Sequence, residues 1–219
     1  MVITYMGGEC FKISQGDLTL AFNPPSKDSN LKTSKFGSDI ALVSTDNEDF
    51  NGIENAAFGE REPFAITGPG EYEVRGVAVR GFGSTTEYGL PAAGRGQGGS
   101  TGINTIYSVA LEGMNLCFLG ALGTAELPQA AKQELDDIDI LFLPVGGDGV
   151  LDHVTANKLA VQLEPKAIIP MHYGDLGAKD GLKSFLKEAG TEDVKPIDKL
   201  TVKKKDLEGK EGEIIVLSV

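Results

Sequence analysis

His153 and His172 are the only two imidazoles in a chain of 219 residues, and their settings differ. His172 closes the apolar run Ala167-Ile168-Ile169-Pro170-Met171, so a predicted strand delivers it to a strand end. His153 precedes Thr155, the predicted N-cap of a helix, and reads as a helix-entry residue. Asp46, Glu48 and Asp49 crowd one short loop, where solvation is the simplest use and cation attraction the second. A calcium ion there would want about six to eight oxygens, more than Asp49, Asn47 and Thr45 bring. Glu71 and Glu73 alternate with Tyr72 and Val74, which places both carboxylates on one strand face. Such pairs can carry acid–base chemistry, although a wet strand face is their commoner use. Ser44, Ser84 and Ser100 have no histidine at a readable spacing, which removes support for serine nucleophile chemistry. Cys10 and Cys117 sit in apolar runs without a Cys-x-x-Cys spacing, so both are expected as reduced core residues.

The elements that must position these groups change character along the chain. Up to residue 120 the pattern is strand and turn, with β-rich runs at Val2–Tyr5, Cys10–Ser14, Leu18–Phe22, Ile40–Val43, Phe64–Thr67 and Val74–Gly81. Gly16 marks a hairpin, and Asn23-Pro24-Pro25 ends the strand that follows it. Residues 83–102 hold seven glycines among small polar residues and read as one long flexible loop. Beyond it, strands at Thr105–Leu111, Asn115–Leu119, Ile138–Leu143 and Ala167–Ile169 alternate with helices near Leu127–Leu135 and Thr155–Leu163. A third helix over Lys179–Ala189 is closed by Gly190, and a last strand covers Glu213–Ser218. No linker separates the halves, so one layered α/β domain over 1–219 is expected.

Composition narrows the partners. The chain carries 32 acidic and 20 basic side chains, a net charge of -12, and its average field repels phosphate backbones. The opening Met1-Val2-Ile3-Thr4-Tyr5 lacks the basic and apolar regions of a signal peptide. No apolar run approaches the roughly 20 residues of a membrane helix. A soluble, cytoplasmic protein without nucleic-acid or membrane partners is expected.

Four stretches carry a family resemblance. They are Ile3-Thr4-Tyr5-Met6-Gly7-Gly8-Glu9-Cys10-Phe11, Gly68-Pro69-Gly70-Glu71-Tyr72-Glu73-Val74-Arg75-Gly76-Val77, Asn104-Thr105-Ile106-Tyr107, and the run from Asp139 to Gly147 with Pro165 to Tyr173. Together they resemble the metallo-β-lactamase-fold hydrolases, most of all the branch around ascorbate-6-phosphate lactonase and neighbouring metal-dependent hydrolases. The resemblance implies a four-layer αββα sandwich with the site on loops along one edge of two sheets. It also implies a pair of metals that bind a hydroxide nucleophile, held by a His-x-His-x-Asp-His loop and later histidines and aspartate.

This chain departs from that ligand set. Thr45, Asn47 and Phe50 stand where the loop's histidines would be, and Asp49 keeps its family type. Phe118 and Ala121 replace the His and Asp of the family's His-x-Gly-Asp, Gly8 replaces a histidine, and His172 is retained. A hydroxyl and a neutral amide are poor zinc ligands, and a phenyl ring is none. The expectation is therefore a metal-free pseudoenzyme that acts in binding, regulation or assembly, with no cofactor. The rival is a hydrolase of altered chemistry that uses Asp49 and His172 with one weakly bound divalent metal or none. Expected partners are a small ligand, further copies of the chain, or an intact family member in a heteromer. Asp49 and His172 are expected to lie side by side, and Phe50 and Phe118 to be buried. The acidity gives a first testable outcome: a filter-binding assay at physiological salt should retain no duplex DNA, and retention would overturn the charge argument.

Overall fold

The computed structural model describes residues 1–31, 34–91 and 101–219. Alternating buried and half-exposed residues at 2–5 and 11–14 open the first sheet, a pattern that fits strands with one core-facing side. Its six strands are β1 (Val2–Tyr5), β2 (Phe11–Gln15), β3 (Leu18–Phe22), β4 (Ile40–Leu42), β5 (Phe64–Ile66) and β12 (Leu200–Thr201), in the order β12-β1-β2-β3-β4-β5. The second sheet contains β6 (Gly70–Val74), β7 (Val77–Thr86), β8 (Gly102–Leu111), β9 (Met114–Phe118), β10 (Ile140–Pro144), β11 (Ala167–Met171) and β13 (Glu213–Ile214). Their order is β13-β11-β10-β9-β8-β7-β6. Strands β9, β10, β11 and β13 pair in parallel, whereas β6 to β9 form antiparallel neighbours. The apolar runs Ile140–Pro144 and Ala167–Met171 are buried throughout, as parallel strands covered on both faces must be.

Both mixed sheets turn one face into a shared core. Ile3, Phe11, Ile13, Leu20 and Phe22 meet Val109, Leu116, Phe118, Phe142 and Ile169 there. The opposite residues of the second sheet, among them Cys117, Leu141, Leu143 and Ile168, pack with the helices α1 (Gln129–Glu134), α2 (His153–Leu163) and α3 (Gly181–Glu188). The outer face of the first sheet is covered more thinly, by Met6, Phe36 and Ala56 beside a short 3-10 turn at Ile53–Asn55. This is the αββα sandwich, with one outer layer reduced. Polar ties also bind the sheets: among them, the Tyr107 hydroxyl donates to Val43 O at 2.7 Å, and Arg75 pairs with Asp39. Among the described residues no helix is long and apolar enough to cross a membrane.

Several boundaries differ from the sequence reading. The run Val74–Gly81 is not one strand: Arg75 (φ 52°) and Gly76 (φ 79°) form a two-residue hairpin turn, with Val74 opposite Val77. Both φ values are positive, as a primed turn requires, but Arg-Gly is a weaker signal than Asn-Gly. Helix α2 starts earlier than Thr155, because Asp152 is the N-cap and accepts from the Thr155 N–H at 2.9 Å. The proposed loop 83–102 is shorter, since Thr85 pairs with Ile103 and Thr86 with Gly102 in the β7–β8 ladder. The rest of that reading falls mainly on residues 92–100, outside the described residues. The last strand is limited to Glu213–Ile214, with one further bridge from Leu217 to Ile197.

Cys10 and Cys117 are free and buried. Burial pushes both thiols up, Cys117 to about 12, so neither presents a thiolate at neutral pH. Phe118 lies in the central core, stacked on Phe22 with centroids 4.7 Å apart and fully buried. Phe118→Ala should therefore cost about 3–5 kcal/mol in chemical denaturation, and a loss below about 1 kcal/mol would contradict this packing.

Candidate functional site

The ends of β3, β4, β9 and β11 meet the β1–β2 connection at one edge of the sandwich. The chain must turn sharply there. Asn23 after β3 has φ 40°, His172 after β11 has φ 58°, and Gly7 and Gly8 lie at 98° and 60°. The backbones lock together: the His172 N–H donates to Gly8 O at 2.8 Å, and the Tyr5 hydroxyl donates to the same oxygen at 2.9 Å. Burial pushes the Tyr5 phenol well above its ordinary value, so it remains a donor.

The centre of this edge is a buried carboxylate–imidazole pair. His172 Nδ1 lies 2.6 Å from Glu9 Oε1, and both side chains are 0% exposed. In the Nδ1–H tautomer this nitrogen donates to the carboxylate. Glu9 Oε2 accepts from Asn23 Nδ2 at 2.7 Å, and that amide also reaches Ser44 Oγ at 2.8 Å. Asn23 Oδ1 then accepts from the Ser44 N–H at 2.8 Å. The opposite nitrogen, His172 Nε2, is buried without a hydrogen-bond partner among the described residues. Leaving such a group unpaired costs about 1–3 kcal/mol. Phe50 and Tyr88 flank the imidazole, with centroids at 6.1 and 4.8 Å, the tyrosine meeting it edge-on.

The residues singled out from the sequence occupy three environments. Phe50 and Ala121 are buried together with Val150 and Leu176, next to His172. Phe118 belongs to the central core. Thr45 turns to Asn104, donating to its Oδ1 at 3.2 Å, while Asn104 Nδ2 bonds Ser84 Oγ and Leu119 O at 2.9 Å. Asn47 Oδ1 accepts the Asp49 N–H at 2.9 Å in a local turn. Asp49 accepts from the hydroxyls of Ser29 and Tyr88, the latter at 2.7 Å. The expected pairing of Asp49 with His172 is thus replaced: the carboxylate on the imidazole is Glu9, and Tyr88 holds Asp49. Burial and the bond to Asp49 push the Tyr88 phenol far up, which keeps it a donor. Glu71 and Glu73 are exposed on β6, and His153 begins α2, away from these contacts.

Sequence reasoning missed Glu9, Asn23 and Tyr88. A single charge inside Met6-Gly7-Gly8-Glu9-Cys10-Phe11, bounded by glycines and core residues, was the available signal for a buried carboxylate. Above Tyr88 lies a depression of about 600 Å³, lined by Met6, Asn30, Leu31, Asp49, Asp175 and Leu176 among others.

A sandwich of this topology, with strand-end loops meeting at one edge, defines a metallo-β-lactamase-fold protein. The sequence family described as "Beta-lactamase superfamily domain" matches residues 2–172, and the chain belongs to it. It is similar to a metal-dependent hydrolase of Natranaerobius thermophilus, 25% identical over 186 residues that cover 79% of this chain and 83% of that one. A metal-dependent hydrolase of Carboxydothermus hydrogenoformans is 25% identical over 193 residues, covering 79% and 84%. Among solved structures, a Thermotoga maritima protein assigned to the Zn-dependent hydrolases of this superfamily superposes with a TM-score of 0.72 at 24% identity, covering 99% and 97% of the two chains.

The network makes a direct prediction. Glu9→Ala strands Nδ1 of His172 and the Asn23 amide in the interior and should cost about 3–5 kcal/mol, the usual loss on breaking a buried pair. Glu9→Gln retains an acceptor and should cost clearly less. Equal losses in urea titrations would show that the retained amide oxygen and bulk of Gln do not substitute for the carboxylate.

Proposed function

We propose that this chain keeps the family's fold without its two-metal hydrolytic centre, and that it acts by binding rather than by hydrolysis. The observation that carries this reading is the Phe118 ring, stacked on Phe22 in the core at a position where the family resemblance implies a metal-binding imidazole. Thr45, Asn47, Phe50 and Ala121 supply no imidazole or carboxylate at the other matched positions, and Thr45 is already engaged with Asn104. Among the described residues no group of three or more His, Cys, Asp or Glu side chains is placed to hold an ion. The donor set does not fit a pair of metals, so no hydrolytic step is derived through one. We place the protein in the cytoplasm, as one domain over 1–219, associating with its own copies or with an intact family member.

A second reading is favoured by one atom. The unpartnered Nε2 of His172 suits a base or a lone metal ligand, which with Asp49 would support a hydrolase of altered chemistry. Elemental analysis of freshly purified protein separates the two. The binding reading expects far less than one equivalent of zinc, manganese or iron, unchanged when Asp49 is replaced by Asn. About one tightly held equivalent, lost in Asp49→Asn and His172→Gln, would establish the hydrolase reading instead.

A further inference from the structure

We propose that Tyr88 is a displaceable plug over a binding site for a small organic ammonium ion, completed by Asp49 and the free Nε2 of His172. Four observations support the site. Nε2 is fully buried and unpartnered, and the bond from Nδ1 to Glu9 fixes the ring so that Nε2 points away from Glu9. The rings that pack on the imidazole are Phe50 and Tyr88, and of these Tyr88 also lines the depression of about 600 Å³. Among the described residues, the Tyr88 side chain is tethered by one hydrogen bond, from its hydroxyl to Asp49 Oδ2 at 2.7 Å. Among the described residues, the lining contains the carboxylates of Asp49 and Asp175 and no Lys or Arg.

These features select the ligand class. Once the tyrosine hydroxyl leaves Asp49, the groups uncovered are its carboxylate and, in the neutral Nδ1–H tautomer, the lone pair of Nε2, both acceptors. An alkylammonium brings several N–H donors and a positive charge, which satisfies Asp49 and Nε2 together. The Phe50 ring adds a cation–π surface, and the alkyl part meets Leu31 and Leu176. An anion would face Asp49 and Asp175 without a counter-charge from the described lining residues. The inference rests on the metal-free reading, because a metal on Nε2 would occupy the same nitrogen.

The test uses imidazole-labelled full-length protein, in which His172 and His153 give the only histidine signals and His153 serves as reference. Titration with n-butylammonium chloride should move the His172 Nε2 resonance saturably, whereas 1-butanol and sodium butyrate should not. Tyr88→Phe, which removes the tether, should bind about tenfold more tightly, the worth of one hydrogen bond to a charged acceptor. Asp49→Asn should abolish the response while its unfolding midpoint confirms that it is folded. The proposal is overturned by an Nε2 signal that does not saturate, by an equal response to 1-butanol, by unchanged affinity in Tyr88→Phe, or by an Nε2 that carries a proton before ligand is added. Metal content measured on the same sample keeps the two failures apart. Stoichiometric metal defeats the metal-free reading, whereas a metal-free protein with a silent Nε2 defeats this proposal alone.

Discussion

The hydrogen bond between Glu9 and His172 is the constraint around which the strand-end loops are arranged. It joins the first sheet's β1–β2 connection to the second sheet's β11, across 163 positions of sequence. Buried pairs of this kind often contribute little net stability, because desolvation consumes most of the attraction. Their effect is on geometry. A carboxylate with both oxygens engaged, by His172 and Asn23, admits one arrangement of the three loops that carry them. The backbone bond from His172 to Gly8 and the bonds between Asn23 and Ser44 follow from that arrangement.

Apolar packing meets this polar centre from two sides. The rings of Phe11, Phe22, Phe118 and Phe142 form one continuous aromatic group between the sheets, with edge and stacked contacts at 4.7 to 6.5 Å. Phe50, Ala121, Val150 and Leu176 form a smaller group beside the imidazole. The low dielectric that results strengthens the Glu9 bond and makes the bare Nε2 costly, so the same packing explains both. Tyr88 stands at the boundary, with its ring against the apolar group and its hydroxyl on Asp49.

The sandwich was legible because its signals are local. Buried parallel strands need uninterrupted apolar runs, and Ile140–Pro144 and Ala167–Met171 supply them. Errors fell where a single side chain or φ value decides the outcome, as with Arg75 in the β6–β7 turn and Asp152 ahead of α2. At the site, the burial of Phe50 and Phe118 could be anticipated from the positions they occupy. The partner of His172 could not. Choosing Glu9 over Asp49 depends on how two sheets superpose, and no periodicity in one chain encodes that. Tyr88 was hidden for a related reason, since it was read as part of a loop whose ends in fact continue as strands.

Gly8 shows how a turn and the packing beside it become linked. Its φ of +60° disfavours any side chain, and a Cβ there would come within 2.7 Å of Leu31 and 3.0 Å of Leu176. A histidine at this position would have to displace both leucines, the first of which lies beside the depression and the second against Phe50. Both contacts are with the ends of leucine side chains, which can rotate aside, so a histidine here would bear the cost of its positive φ and of repacking Leu31 and Leu176 together. The glycine thus couples the shape of the depression to the turn that carries Glu9.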